Sequence, residues 1–134
     1  MIRILGGVSA LCFLWITSAC AGNDVLISQA TATPEGFLQH RVTSPYQAGE
    51  TDIRVLLPDT VAPDEQLPVV YVLPVEARGR NKFGDGLVEI KRIGLHNSHR
   101  AVYVAPSCYR WPWHGNHPTE PEARQAPHVL EVLV

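Results

Sequence analysis

The chain has 134 residues, of which 46% are hydrophobic and 18% are charged. Thirteen acidic and eleven basic residues give a net charge of −2, so electrostatics give no reason to expect nucleic acid or an anionic membrane surface as a partner. A chain of this length forms one domain at most, and it is short for a sheet with helices on both faces.

The first 21 residues predict an export signal. Arg3 supplies a positive start, and an apolar run follows up to Ile16. The segment ends in Ala19-Cys20-Ala21, an A-x-A pattern that suits the shallow pocket of signal peptidase. We therefore expect a signal peptide over residues 1–21 and an exported protein, either periplasmic or secreted.

Two other interpretations of this segment stay open. Residues 17–20 resemble a lipobox, in which Cys20 would carry the lipid of an anchored lipoprotein, although Thr17 stands where Leu is usual. An uncleaved anchor is the third interpretation, but the apolar run is shorter than the about 20 residues that span a bilayer. We expect no membrane association beyond the export signal.

The number and positions of the cysteines predict a folded part without disulfides. Two of the three cysteines lie within the export segment, which leaves Cys108 alone in the remainder. A single thiol forms no intramolecular disulfide, so the fold depends on its hydrophobic core. Since no base is positioned beside Cys108 in the sequence, we expect a half-buried loop thiol rather than a nucleophile.

The predicted elements begin after a linker. Residues 22–35 are small and polar, which is typical of a linker between the signal and a folded part at 36–134. Residues 37–43 predict a strand. After a turn, residues 51–57 alternate apolar and polar side chains and predict a second strand. Together they predict an antiparallel hairpin at a sheet edge.

A parallel strand pair is predicted next. Residues 67–73 are apolar on both faces, as expected of a central strand covered by helices on both sides. Residues 87–95 place apolar side chains on one helical stripe, and residues 101–105 predict a second buried strand. Strand, helix and strand in this order form a βαβ unit, which implies parallel pairing.

The last predicted element is a helix. Thr119 and Glu122 have the spacing of a capping box, which predicts a helix from Thr119 to the end of the sequence. Pro127 falls inside this range. Because proline removes a backbone donor and clashes with the preceding turn, we expect it to kink or split the helix.

Three stretches of this chain resemble an esterase family of the α/β-hydrolase superfamily, relatives of the feruloyl and acetyl esterases. Leu67-Pro68-Val69-Val70-Tyr71-Val72-Leu73-Pro74 is similar to its first buried strand, and Val102-Tyr103-Val104-Ala105-Pro106 to the next. Trp113-His114-Gly115-Asn116-His117-Pro118-Thr119 looks like its tryptophan-bearing loop. The resemblance covers residues 37–134 and implies an α/β domain that is the N-terminal, incomplete part of an α/β-hydrolase fold.

The resemblance implies carboxylic ester hydrolysis. In such enzymes a serine on a sharp strand-to-helix turn attacks the ester of a small-molecule substrate, and a backbone N–H of the first strand-to-helix loop stabilises the oxyanion. By position, Val75 and Glu76 would form that loop, with Pro74-Val75-Glu76 where the family usually has His-Gly-Gly. The resemblance implies no cofactor.

The nucleophile motif of the family is missing from the sequence. No G-x-S-x-G occurs, and the serines after the signal all lack that frame: Ser28, Ser44, Ser98 and Ser107. In the family's order the serine, acid and histidine follow the helix predicted from Thr119. We therefore expect the N-terminal part of an exported ester hydrolase that is inactive alone, as a truncated, frameshifted or fragmentary product.

An alternative is a non-catalytic secreted binding module that uses the loop from Trp111 to His117. Strand ends are where open α/β sheets place ligands, so Trp111 and Trp113 predict either a substrate wall or a hydrophobic plug. The loop also carries His114 and His117, an H-x-x-H pair.

The pair His96 and His99 has the same spacing, and imidazoles spaced in this way can share zinc. The intervening strand separates this pair from His114 and His117 by roughly 17 Å, so we expect solvated loop histidines and no metal.

Overall fold

The computed structural model describes residues 24–74, 84–109 and 115–133. The predicted export signal, including Cys20 of the lipobox interpretation, lies outside these ranges. The described part contains a six-stranded mixed sheet with short helices, an α/β architecture. The strands are β1 (Leu26–Ile27), β2 (Thr31–Ala32), β3 (Leu38–Thr43), β4 (Thr51–Leu56), β5 (Val69–Tyr71) and β6 (Val102–Pro106).

The predicted hairpin is confirmed, but its position at a sheet edge is wrong. β3 and β4 pair antiparallel, with Leu38 opposite Val55. β4 also pairs with β6, so the strand order is β1-β3-β4-β6-β5. β1 and β2 both pair with the outer side of β3. These two strands come from the segment predicted as a linker, and each has only two exposed residues, too few for an alternating pattern.

The predicted βαβ pairing is confirmed. β5 and β6 are parallel, with Val69 opposite Val102. Between them lie α1 (Gly86–Arg92) and α2 (Leu95–Ser98). The single helix predicted over residues 87–95 is divided because Gly94 adopts φ +71°, a left-handed conformation that ends α1 and caps α2.

Substitution of Gly94 tests this junction. Because a side chain raises the energy of the left-handed conformation, Gly94→Ala should lower the free energy of unfolding by about 1–2 kcal/mol in a urea titration. Gly94→Asn is the matched control, since asparagine adopts this conformation more readily, and it should lose clearly less. Equal losses from the two variants would contradict a conformational origin.

β5 is an edge strand among the described residues, so the predicted central position is wrong. It pairs with β6 alone, and Val69 is 51% exposed. Val102 donates its N–H to the carbonyl of Pro68, and Val72 donates to Val104, so these groups face β6. By strand alternation, the N–H and C=O groups of Val69 and Tyr71 point away from β6. Apolar side chains on both faces of β5 therefore do not imply that it has a neighbouring strand on each side.

The core lies between the sheet and the α1 side. Buried side chains from both parts form one cluster: Phe37, Leu56, Leu87, Ala101, Tyr103 and Ala105. Leu56 is paired with Tyr103, so both project to the same face. Alternation sends Thr51 to the other face, where it meets the last described helix. The sheet therefore has helices on both faces.

That last helix differs from its prediction. Thr119 and Glu122 lie outside any helix, and the helical region is α3 (Gln125–Pro127) followed by a π-helix, His128–Leu133. Pro127 does not split this region, here called the 125–133 helix. It lies in the first turn, where the backbone N–H would have no intrahelical partner, so proline is tolerated.

Candidate functional site

The carboxyl ends of β5 and β6 lie at one edge of the sheet, where open α/β sheets bind ligands. The predicted oxyanion loop at Val75 and Glu76 follows β5, and it lies outside the described residues. Trp111 and Trp113 follow β6, and they also lie outside. The described part of this edge therefore consists of the residues that immediately follow β6 and those that precede α1.

A cleft of about 370 Å³ lies at the end of β6. Its lining includes Ser107, Cys108 and Asp52. Ser107 closes the sheet: its hydroxyl oxygen accepts the N–H of Asp52 at 2.8 Å, and its own N–H donates to the carbonyl of Asp52 at 2.7 Å. The hydroxyl thus holds β4 against the chain leaving β6, and no described contact pairs it with a base.

Cys108 is buried rather than half-buried as predicted. Burial raises the pKa of its thiol to about 11, because the thiolate is disfavoured away from water. At neutral pH the group is therefore an un-ionised thiol. Since the thiolate is the reactive form, Cys108 serves as a small apolar side chain.

A second cleft, of about 490 Å³, lies on the α1 side of the sheet. Arg54 of β4 and Asp85 before α1 form a salt bridge of 2.7 Å there. Burial would raise the pKa of Asp85, but the hydrogen bond and charge of Arg54, together with the N–H groups of Val88 and Leu87, lower it. The charge of Arg54 is thus neutralised by Asp85. The polar groups of this cleft therefore cap α1 and form an ion pair that stabilises the fold.

The four serines after the signal occupy different environments. Ser28 accepts the N–H of Arg41, and Ser98 donates to the carbonyl of Leu95. Ser44 is the one whose hydroxyl contacts a histidine in the described part: its Oγ lies 2.9 Å from Nδ1 of His128, whereas Ser28 contacts His40 through its backbone carbonyl.

A serine beside an imidazole can act as a nucleophile and base pair, but this pair lacks both substrate access and the catalytic orientation of the ring. Ser44 is 4% exposed and His128 is 0% exposed, so a substrate has no access. In the serine hydrolase arrangement Nε2 faces the serine and Nδ1 faces a carboxylate. Here Nδ1 faces Ser44, and Nε2 faces the hydroxyl of Thr51 at 3.5 Å. The geometry is that of a buried structural contact.

Comparisons with known proteins found no similar protein. No family model, no curated protein and no solved structure matches this chain.

The histidines predicted as solvated loop residues differ among themselves. His96 is buried, contrary to the prediction, with Nε2 3.7 Å from Asp59 and Nδ1 without a hydrogen-bond partner in the described part. It lies in α2, next to Leu95, which packs against the core. His99 is exposed, and Nδ1 of His117 accepts the N–H of Glu120. His114 lies outside the described residues.

Among the described residues no three His, Cys, Asp or Glu side chains are grouped as a metal would need. In those same ranges no helix is both long and apolar enough to span a bilayer.

Sequence reasoning missed a buried polar cluster between the hairpin and the 125–133 helix. Gln47 donates through Nε2 to Oε1 of Gln125 at 2.5 Å, and its own Oε1 accepts the N–H of Tyr109 at 3.0 Å. Both glutamines are buried. Polar residues in a short segment give no signal of burial, since their partners are 60 or more residues away.

Proposed function

We propose that this chain is the N-terminal part of an exported serine ester hydrolase of the α/β-hydrolase fold, and that the 134-residue polypeptide hydrolyses no esters on its own. Export is assigned to residues 1–21, and the substrate class is a small-molecule carboxylic ester. The acidic balance of the chain supports no role in nucleic-acid binding.

The strand order is the observation that carries this proposal. An antiparallel hairpin leads into a parallel pair, and the later strand of that pair, β6, lies between the hairpin and β5. The α/β-hydrolase fold opens in this order, and its nucleophile strand then pairs with the free side of the strand equivalent to β5. The outward-facing groups of Val69 and Tyr71 supply a suitable edge.

The lack of activity is supported by the serines. None of them has a glycine frame, and in the described ranges the one serine whose hydroxyl contacts a histidine is buried with it. Cys108 does not substitute as nucleophile because its thiol is un-ionised at neutral pH.

The isolated chain should not hydrolyse p-nitrophenyl acetate above a heat-treated sample, and it should not label with a fluorophosphonate. The physical reason is that no accessible serine hydroxyl contacts a histidine or a carboxylate among the described residues. Ser44→Ala is the matched control and should give the same background rate. Hydrolysis and labelling that Ser44→Ala abolishes would contradict the proposal and identify Ser44 as a nucleophile.

A fusion tests the ancestry directly. Residues 24–134 would replace the equivalent N-terminal part of a feruloyl esterase-type enzyme, ahead of its nucleophile strand. We expect measurable ester hydrolysis that is lost when the donor's nucleophile serine is changed to alanine. A fusion that melts cooperatively yet shows neither hydrolysis nor fluorophosphonate labelling would contradict the assignment.

A further inference from the structure

The imidazole of His128 is held by two hydroxyl groups of the hairpin. Thr51 donates its hydroxyl hydrogen to the carbonyl of Val42 at 3.3 Å, so its oxygen is left to accept from Nε2–H of His128. Nδ1 then carries no hydrogen and accepts the hydroxyl of Ser44 at 2.9 Å. This pattern assigns a neutral imidazole with its proton on Nε2.

Further hydrogen bonds join the 125–133 helix to the rest of the fold. Tyr46 donates to Glu131, and Tyr71 of β5 donates its hydroxyl to the carbonyl of Leu133 at 2.5 Å. Among its apolar side chains, Leu130 is 67% exposed, whereas Val129 and Val132 are half-buried. The fully buried polar contacts that hold this helix on the hairpin are those of His128 with Ser44 and of Gln125 with Gln47.

We propose that the 125–133 helix is an acid-released cover: protonation of His128 detaches it from β3 and β4 and uncovers that face of the sheet. The imidazolium would carry a charge into a site that solvent does not reach, since His128 is 0% exposed, and both ring nitrogens would become donors. The hydroxyl of Ser44 would then have to accept, and its own hydrogen would lose its partner. Burying an unpaired charge is strongly unfavourable, whereas release returns it to solvent.

The charged groups nearby do not offset this cost. The ring contacts Ser44 after β3 and Thr51 of β4, neither of which ionises at these pH values. On the hairpin, Glu50 pairs with Arg41, and Asp52 accepts from Gln39. Asp52 lies on the opposite face of the sheet, by alternation from Thr51.

On the helix itself, Glu131 is held by Tyr46. Arg124, which precedes the helix, directs its backbone N–H to the carbonyl of Tyr46. None of these contacts provides a carboxylate for the imidazolium.

The direction of the pH dependence follows from the burial. Burial lowers the pKa of His128 below its ordinary value of 6.5. A histidine that is harder to protonate when docked contributes stability that is complete above about pH 6.5 and is lost as the pH falls towards the lowered value. The cover should therefore be closed at neutral pH and open in mild acid.

Hydrogen–deuterium exchange on the full chain tests the release. After correction for intrinsic rates, peptides covering residues 125–133 and 42–51 should lose about tenfold in protection between about pH 7.5 and pH 5. Peptides from β6 and α1 should keep theirs. His128→Gln removes the titrating group and should abolish the change, whereas His99→Gln, which alters an exposed histidine, should leave it intact.

A second measurement on the unsubstituted chain covers the case in which His128→Gln does not fold. Exchange at the imidazole C2 position reports the titration of each histidine separately, including His96. The midpoint of helix release should coincide with the titration of His128. Unchanged protection at about pH 5, release that persists in a folded His128→Gln variant, or a midpoint more than about one pH unit from that titration would overturn the proposal.

Discussion

Replacing Phe37 with alanine should lower the free energy of unfolding by about 3–5 kcal/mol, the range for truncating a buried aromatic side chain. Phe37 is 2% exposed and belongs to the cluster that joins β4, β6 and α1. Its ring also lies beneath two cations: Arg54 is 5.6 Å and Lys91 is 5.3 Å from the ring centroid. Alanine would leave a cavity and remove the surface on which these cations rest.

Urea denaturation followed by circular dichroism measures this loss. Phe37→Leu is the conservative control, which keeps most of the apolar volume and should lose clearly less. Ile93→Ala, at a largely exposed position, should stay within about 0.5 kcal/mol of the unsubstituted protein. A loss from Phe37→Ala no larger than that from Ile93→Ala would contradict the described core.

Asp85→Ala should lower the free energy of unfolding by about 3 kcal/mol, because one carboxylate performs two tasks. Its Oδ1 accepts the N–H groups of Leu87 and Val88 at the start of α1, and such a cap contributes about 1 kcal/mol. Its Oδ2 accepts a charged hydrogen bond from Arg54, a type that contributes about 1.5–3 kcal/mol.

Asp85→Asn separates the two tasks, since asparagine caps helices but does not neutralise Arg54. It should lose less than Asp85→Ala. The pKa of Asp85 is lowered in the folded protein, so its contribution is complete above about pH 4 and disappears as the pH falls through the lowered value. Both variants should therefore approach the unsubstituted protein in stability in strong acid. A difference that stays constant with pH would show that the charge contributes nothing.

Local patterns predicted the hairpin and the parallel pair well. Alternation over residues 51–57 reflects one face with buried Thr51 and Ile53 and another with half-buried Asp52 and Arg54, so it is visible in the sequence. The same is true of α1, where Leu87 and Ile90 face the core. These features depend on neighbours a few residues apart, which is the range over which periodicity carries information.

Features that depend on distant neighbours were not predicted. The apolar run at β5 indicated a central strand. Such a run reflects only what covers the two faces of the strand, whereas the neighbouring strands are set by the topology of the sheet. The signal at Thr119 gave a helix start that the fold places at Gln125 instead, where Pro127 is tolerated. The burial of His128 depends on Ser44, which lies 84 residues earlier in the chain.

The candidate site was predicted only in outline. Cys108 lies after the end of β6, where burial raises the pKa of its thiol. Its full burial could not be predicted from its sequence neighbours, because the cleft that it lines also includes Thr51 and Asp52 of β4. His96 was predicted to be a solvated loop residue, but it is buried because α2 turns its side chain inwards.

The outward-facing amides of β5 have a consequence for handling the protein. Edge strands of soluble proteins usually discourage intermolecular pairing with a charge, a bulge or an outward proline. Val69 and Tyr71 offer none of these, and Pro68 is turned inwards towards β6. Concentrated solutions of the folded chain should therefore form sheet-extended oligomers, with self-association rising with concentration while the monomer stays folded.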